Sequence, residues 1–221
     1  MASGWTAPID IYCERLSPAF WAEPVNAVTN AAFLIAAFFI YLSWRRAPAN
    51  DLPVLALILI LTAIGIGSFL FHTFADRWSI LADVIPITIF IYVYFFFAMR
   101  RFFGYGVRTA FVISAIFLAT SIAIERVLPA GFLNGSGSYL PALMAILIVG
   151  AVVIRRRPEL GRPVLAAGTI FAVSVTFRSN DMAVCGSIPL GTHFLWHLLN
   201  ALTLYVLLIA MMRAGPHLAS K

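Results

Sequence analysis

The sequence predicts an all-α integral membrane protein, a bundle of seven transmembrane helices. Of its 221 residues, 62% are hydrophobic and only 11% are charged, and the mean hydropathy is +0.96. Soluble domains carry about a quarter charged residues, whereas a helix that crosses a bilayer needs about 20 consecutive, mostly apolar residues. The composition therefore excludes an ordinary soluble domain and favours repeated membrane crossings.

Seven apolar stretches are long enough to cross a bilayer as helices. They lie at 26–44, 53–72, 79–99, 108–127, 139–154, 163–180 and 193–213. The connections are short and no period of 20 to 50 residues repeats, so one membrane domain is expected over 26–213. Residues 1–25 lack the basic start and continuous apolar run of a cleaved signal peptide, which predicts a retained polar tail. Residues 214–221 form a second, short tail.

The basic residues predict how the chain is oriented in the membrane. Most of the 15 lysines and arginines fall on one side of the predicted spans. By the positive-inside rule, the C-terminus is cytoplasmic and the N-terminus lies outside. This topology explains the net charge of +6 without nucleic acid as a partner. The short loops favour a bacterial inner membrane, although the endoplasmic reticulum or Golgi would fit the same topology.

Four ionisable residues lie inside or at the edge of spans, where such groups are costly and mark function or pair with one another. His72 closes the second span, Asp83 opens the third, and His193 and His197 open the seventh. With the predicted topology, all four lie at one depth in the outer half of the membrane. His217, in the C-terminal tail, is expected to be a solvated residue.

The spacing of these residues predicts a metal site. His193 and His197 are four residues apart and share one helix face, as do Ser68 and His72. A short loop joins the second and third spans, which brings Ser68, His72 and Asp83 close together. Three neutral imidazoles with one open position form the ligand set of a hydrolytic zinc site. Asp83 is then a candidate general base or acid, and the Ser68 hydroxyl a candidate hydrogen-bond donor.

Other interpretations of the same residues stay open. A single intramembrane histidine often only links helices, and a pair four apart arises by chance. The chain could be a receptor or transporter with a structural or transported metal, and a closed structural zinc site would recruit Asp83 as its fourth ligand. Haem ligation would leave one histidine unused. A lipid esterase would use the same zinc-activated water as an amidase.

Two further residue pairs complete the expectations from the residues themselves. Cys13 and Cys185 both lie on the non-cytoplasmic side, so either a disulfide or two free thiols is possible, and their shared compartment favours the disulfide. Arg178 and Asp181 are expected to form an interfacial polar pair.

The ordered motifs resemble those of the alkaline ceramidases, seven-helix intramembrane amidases in a superfamily with the progestin and adiponectin receptor-like proteins. The resemblance rests on YCE (12–14), AEPVNAVTN (22–30), GSFLFH (67–72) with Asp83 eleven residues later, DMAVC (181–185) and HFLWH (193–197). It implies that the three histidines bind zinc and that Cys13 pairs with Cys185. It also implies that Asp83 transfers protons and that Ser68 stabilises the oxyanion.

The resemblance further implies a substrate and its route. The enzyme would cleave the amide of ceramide, or of a related N-acylated lipid, to a long-chain base and a fatty acid. An apolar cavity among the helices would admit the acyl chains from the bilayer. The lipid substrate and the bilayer are the only partners that these patterns indicate.

One departure concerns calcium, which eukaryotic members of the family bind through their N-terminal tail. Ile11 and Leu16 stand where those members have an aspartate and an asparagine, so only Glu14 and Glu23 match. Calcium favours 6 to 8 oxygen ligands, so we expect the calcium site to be lost or weak unless Asp10 shifts into place. Alternatively, Asp10, Glu14 and Glu23 form a solvated acidic tail.

Overall fold

The computed structural model describes residues 4–47 and 50–215, and helices form nearly all of its regular structure. The α-helices are α1 (Pro24–Thr29), α2 (Ala31–Arg46), α3 (Leu52–Phe74), α4 (Arg77–Phe102), α5 (Val107–Val127), α6 (Leu140–Val153), α7 (Pro158–Val184) and α8 (His193–Ala214), with a 3₁₀ helix at Ser136–Tyr139. Seven segments, Pro24–Arg46 among them, are long and apolar enough to cross a membrane. The predicted all-α, multi-pass architecture is therefore confirmed. His217 lies outside the described residues.

The sixth and first spans show the clearest differences from the sequence-based expectation. The sixth span is Pro158–Val184 rather than 163–180, because Pro158 stands in the first turn, where its missing N–H costs no helical hydrogen bond. The polar residues at both ends of this helix extend it beyond the apolar segment. The first span begins at Pro24 and divides at Asn30 into α1 and α2.

The helices pack mainly against their neighbours in sequence. Pairs that are adjacent along the chain, such as α3 with α4 and α7 with α8, share the largest contacts, and α8 also contacts α2, α3 and α4. The last helix thereby closes the bundle onto the first. Gly67 lets α3 approach α4 closely, because a Cβ at this position would overlap the carbonyl oxygen of Ala82. This contact lies next to Ser68 and Asp83.

A buried ion pair joins the helices at the end of the bundle where α3 begins and α4 ends. Arg101, near the end of α4, donates to both carboxylate oxygens of Asp51 at 2.7 and 2.6 Å. Asp51 also caps α3 by accepting from the amide of Val54, and Arg101 donates to the carbonyl of Met211 in α8. One arginine thus joins the start of α3 to the ends of α4 and α8.

The N-terminal tail packs over the bundle instead of extending into solvent. The amide of Ile9 donates to the carbonyl of Ala75 at 2.8 Å, and that of Trp78 donates to the carbonyl of Trp5 at 3.2 Å. These bonds lay the tail across the turn between α3 and α4. Tyr12 and Arg15 are buried, so this part of the tail is packed against the helices. The hydrogen bonds to the α3–α4 turn supply the reason.

Replacing Gly67 by alanine should disrupt the contact between α3 and α4. The added methyl group has no space beside the carbonyl of Ala82, and overpacking of this kind costs about 1–3 kcal/mol. Thermal unfolding in detergent should show a lower midpoint for Gly67→Ala. Gly186→Ala is the control, because its Cβ would meet open space, and equal midpoints for the two variants would contradict the packing argument.

Candidate metal centre

Three histidines converge where α3 ends and α8 begins. His72 lies one turn before the end of α3, His193 is the first residue of α8, and His197 follows one turn later. One ring nitrogen from each lies within 4.8 Å of the others. All three side chains are almost completely buried. The structure thus brings together the three imidazoles that the sequence placed at one depth.

The facing nitrogens of these rings have no hydrogen-bond partner. The three atoms are Nε2 of His72, Nδ1 of His193 and Nε2 of His197. A buried polar atom without a partner costs about 1–3 kcal/mol, and such atoms are rare in folded proteins. Three of them aimed at one small volume fit a metal ion that accepts their lone pairs. Imidazole ligands suit zinc, copper, iron and nickel.

His72 is oriented by a carboxylate. Its Nδ1 lies 2.6 Å from Oε2 of Glu23, and Oε1 of Glu23 accepts from Nε of Arg15 at 2.5 Å. Burial opposes ionisation of Glu23, but the bonds from His72 and Arg15 outweigh it and hold the pKa of this carboxyl below its usual value. Since an ionised carboxylate only accepts, the proton of His72 is on Nδ1. Its Nε2 is therefore free to bind a metal.

His197 is oriented by a hydroxyl in the same way. Oγ1 of Thr29 lies 2.9 Å from Nδ1 of His197 and donates its own proton to the carbonyl of Val25 at 2.8 Å. A hydroxyl has one proton to donate, so it accepts from His197. The lone pair of Nε2 again faces the centre. Thr29 was not among the residues singled out in the sequence, where it stands in the AEPVNAVTN motif.

His193 is held through its ring and its backbone. The ring of Tyr12 stacks on it, with centroids 3.6 Å apart and planes inclined by 20°. Burial raises the pKa of the Tyr12 phenol, which therefore stays neutral. Oδ1 of Asp181 accepts from the amides of Thr192 and His193 at 2.7 and 2.8 Å. This carboxylate compensates the positive end of α8.

The expected pairing of Arg178 with Asp181 is wrong. Asp181 is completely buried and binds backbone amides, including that of Cys13 at 2.8 Å. Arg178 donates to Oγ of Ser136 at 2.7 Å instead, and its guanidinium faces the rings of Tyr12 and Trp196. The free amides at the start of α8 bind the carboxylate of Asp181, and aromatic faces accommodate the arginine.

Asp83 lies beside the histidines without joining their cluster. It is near the ring of His72 and the hydroxyl of Ser68, and its buried Oδ1 has no hydrogen-bond partner. Within residues 4–47 and 50–215, the one cluster with metal-ligand spacing contains the histidines alone. The carboxylate therefore lies next to the centre without belonging to the metal-sized cluster. The buried Ser68 lies one helical turn before His72.

The two glutamates expected at a calcium site are engaged elsewhere. Glu14 accepts from the amides of Val25 and Asn26 at 2.7 and 2.8 Å and so satisfies the first amides of α1. Glu23 binds Arg15 and His72, as described above. Both glutamates are buried, so the alternative of a solvated acidic tail is wrong for them, whereas Asp10 is exposed. A weak or lost calcium site stays a prediction.

A disulfide joins Cys13 to Cys185 across 172 residues of sequence. The predicted pairing is confirmed. The bond connects the tail to the residue that follows α7, and the hydrogen bond from the Cys13 amide to Asp181 reinforces the same connection. Tyr12 is thereby fixed over His193.

An apolar cavity adjoins the centre on its membrane side. Ile64, Ile87 and Asn200 line it, and each lies one helical turn deeper than Ser68, Asp83 or His197. A neighbouring apolar groove runs between α4, α5 and α6 and is lined by Phe117 and Met144 among others. The cavity and the groove share Phe95 and Phe117 in their linings, so apolar space among the helices, as expected from the sequence, extends from one turn below the centre to the groove.

Fold and site together define a seven-helix membrane protein with a buried candidate metal centre. The family model described as Ceramidase matches residues 5–217, nearly the whole chain, so the protein belongs to the ceramidase family. No curated protein sequence matches it. The family supports a ceramidase-like hydrolase that acts on amide bonds, and the histidine cluster supports its dependence on a metal.

Replacing Cys13 by serine should lower stability only under oxidising conditions. Removing a native disulfide costs about 2–5 kcal/mol, largely by freeing the unfolded chain. Thermal unfolding in detergent should give a lower midpoint for Cys13→Ser than for the oxidised wild type. After reduction the two proteins should unfold together, and a difference that persists in reductant would assign the effect to something other than the disulfide.

Proposed function

We propose that this protein is a zinc-dependent intramembrane amidohydrolase. It cleaves the N-acyl amide of ceramide or a related sphingolipid to a long-chain base and a fatty acid. The observation that carries the proposal is the set of three unpartnered imidazole nitrogens beside the unpartnered oxygen of Asp83. Membership of the ceramidase family supports an amide as the scissile bond.

The ligand set fits zinc. Three protein ligands and an open fourth position are typical of hydrolytic zinc sites, whereas structural sites are closed by four. His72, His193 and His197 supply three nitrogens. When bound, zinc provides a Lewis acid that polarises the amide carbonyl and lowers the pKa of water. Glu23 and Thr29 keep two of the rings in the tautomer that binds a metal.

Asp83 and Ser68 perform the proton transfer and charge stabilisation. Asp83 takes a proton from the water that adds to the amide carbon, and the Ser68 hydroxyl donates a hydrogen bond to the developing oxyanion. The carbon–nitrogen bond then breaks as Asp83 gives its proton to the leaving nitrogen. Water is divided between the products: the fatty acid gains the oxygen, and the long-chain base leaves as an amine.

The substrate reaches this centre from the bilayer. The groove between α4, α5 and α6 and the cavity lined by Ile87 are almost wholly apolar, which suits two hydrocarbon chains. With the arginine-rich ends of the helices in the cytoplasm, the centre faces the non-cytoplasmic side. A bacterial inner membrane fits this arrangement.

Two other functions make different demands on the site. A receptor or transporter with a structural metal would use a fourth protein ligand, and Asp83 lies outside the metal-sized cluster. A lipid esterase would use the same residues with an ester substrate. Hydrolysis of ceramide, compared with that of an ester of the same chain length, separates the esterase from the amidase.

Metal content and turnover should separate in two variants. His197→Ala should lose both bound zinc and hydrolysis of a fluorescent N-acyl sphingosine, because it removes a ligand. Asp83→Asn should keep zinc and lose turnover by about 10²–10⁴-fold, the usual contribution of a general acid or base. Elemental analysis of the detergent-purified protein and assay of fatty acid release measure the two effects.

The matched control is Asp10→Asn, which removes an exposed carboxylate from the tail and should keep both zinc and turnover. A His197→Ala variant without zinc but with full activity would overturn the mechanism. Stoichiometric zinc with no release of any acyl chain from ceramides would instead favour another lipid substrate or the receptor.

A further inference from the structure

The positively charged guanidinium of Arg15 is buried next to the candidate metal centre. It is surrounded by oxygen atoms, called here the oxygen ring. Its Nε donates to Oε1 of Glu23 at 2.5 Å, and its Nη2 donates to the carbonyl of His72 at 3.1 Å. Nη1 donates to the carbonyls of Ser17 and Ala19 at 3.1 and 3.4 Å. The arginine is only 6% exposed. One carboxylate and three carbonyl oxygens therefore surround this guanidinium.

This arrangement is more than an isolated ion pair. Burying a charge is costly unless it is paired and hydrogen-bonded, and here every nitrogen of the guanidinium has an acceptor. The ring also collects oxygens from three places: the tail, the residue before α1, and the outer end of α3. Removing the guanidinium would leave Oε1 of Glu23 and three carbonyl oxygens without the donor they have in this structure, whereas Oε2 of Glu23 would keep His72 and Asn26.

The oxygen ring around Arg15 is hydrogen-bonded to His72, a candidate zinc ligand. Glu23 uses one oxygen for Arg15 and the other for Nδ1 of His72 at 2.6 Å. Arg15 also bonds the backbone carbonyl of His72 itself. The guanidinium thus fixes both the carboxylate that orients the imidazole and the peptide that carries it. Replacing a residue that is hydrogen-bonded to a metal ligand commonly weakens metal binding by about 10–100-fold.

We propose that Arg15 is a positioning residue, a built-in cation that holds Glu23 against His72 and makes tight zinc binding independent of any second cation from solution. The proposal rests on the proposed function only in requiring that the three histidines bind zinc. Arg15 touches neither the substrate nor the metal. Its effect reaches the centre through Glu23.

The first test measures zinc affinity by competition with a chromophoric chelator. Arg15→Ala should bind zinc about 10–100-fold more weakly than wild type, and Arg15→Lys, which keeps the charge but cannot reach every acceptor, should lose less. Arg126→Ala is the control, since Arg126 is an exposed arginine on α5, and it should bind zinc as wild type does. Wild-type affinity in Arg15→Ala would overturn the proposal.

A second test asks whether another cation can occupy the ring. Methylguanidinium or Ca²⁺, added to Arg15→Ala, should restore part of the lost zinc affinity, because either can meet the oxygens that Arg15 leaves. The wild-type affinity should not respond to them. The proposal would be refuted if neither cation raised the zinc affinity of Arg15→Ala. It would also be refuted if Ca²⁺ raised the zinc affinity of the wild type.

A double-variant comparison tests the route through Glu23. If Arg15 acts through Glu23, Arg15→Ala combined with Glu23→Gln should bind zinc about as weakly as the weaker single variant. Losses that multiply would show that Arg15 acts independently. Matching thermal midpoints of the metal-free single variants and wild type ensure that affinity, and not folding, is compared, and Arg15→Lys serves if Arg15→Ala does not fold.

The outcomes keep this proposal apart from the proposed function. A wild type that binds zinc but releases no fatty acid would refute the hydrolase and leave the role of Arg15 intact. A wild type that hydrolyses ceramide, with an Arg15→Ala variant of unchanged zinc affinity, would do the reverse. A wild-type protein that binds no zinc would refute both proposals.

Discussion

Three buried imidazoles must present free lone pairs to one another, and the rest of this end of the bundle is arranged around that requirement. Each ring is held in place by a group outside the centre: Glu23 for His72, Thr29 for His197, and the stacked Tyr12 for His193. Four consecutive tail residues, 12–15, provide the stacked ring, the disulfide, the cap of α1 and the buried cation. A segment without regular structure thus carries much of the site's order.

The two ends of the bundle differ in how completely their buried polar groups are hydrogen-bonded. At the opposite end, Arg101 and Asp51 form a closed, fully bonded pair, which fixes helix ends and leaves no unsatisfied atom between the two charges. At the histidine end, polar atoms remain unsatisfied in the protein alone. Unsatisfied polarity is expensive in a folded chain, so its concentration at one end marks where a ligand contributes to the structure.

Much of this could be predicted from the sequence. Hydrophobic length places the seven spans, and the spacing of His193 and His197, with His72 and Asp83 at the same depth, predicts the cluster. The disulfide followed from two cysteines on one side of the membrane. What could not be predicted depends on the path of the tail, because no periodicity constrains irregular segments. The contacts of Arg15 arise there. The contact of Thr29 depends instead on how α1 packs against α8, and the partners of Asp181 were missed because free helix amides compete for a carboxylate.

The order in which the residues are synthesised limits when the disulfide can form. Cys13 leaves the ribosome long before Cys185, His193 and His197, because the two cysteines are 172 residues apart in sequence. The three histidines cannot come together until α8 has been synthesised, and the disulfide cannot form until Cys185 has been synthesised. Assembly of the centre therefore depends on residues from distant parts of the chain, and a product that ended before Cys185 would have one histidine of the three and no cysteine with which Cys13 could pair.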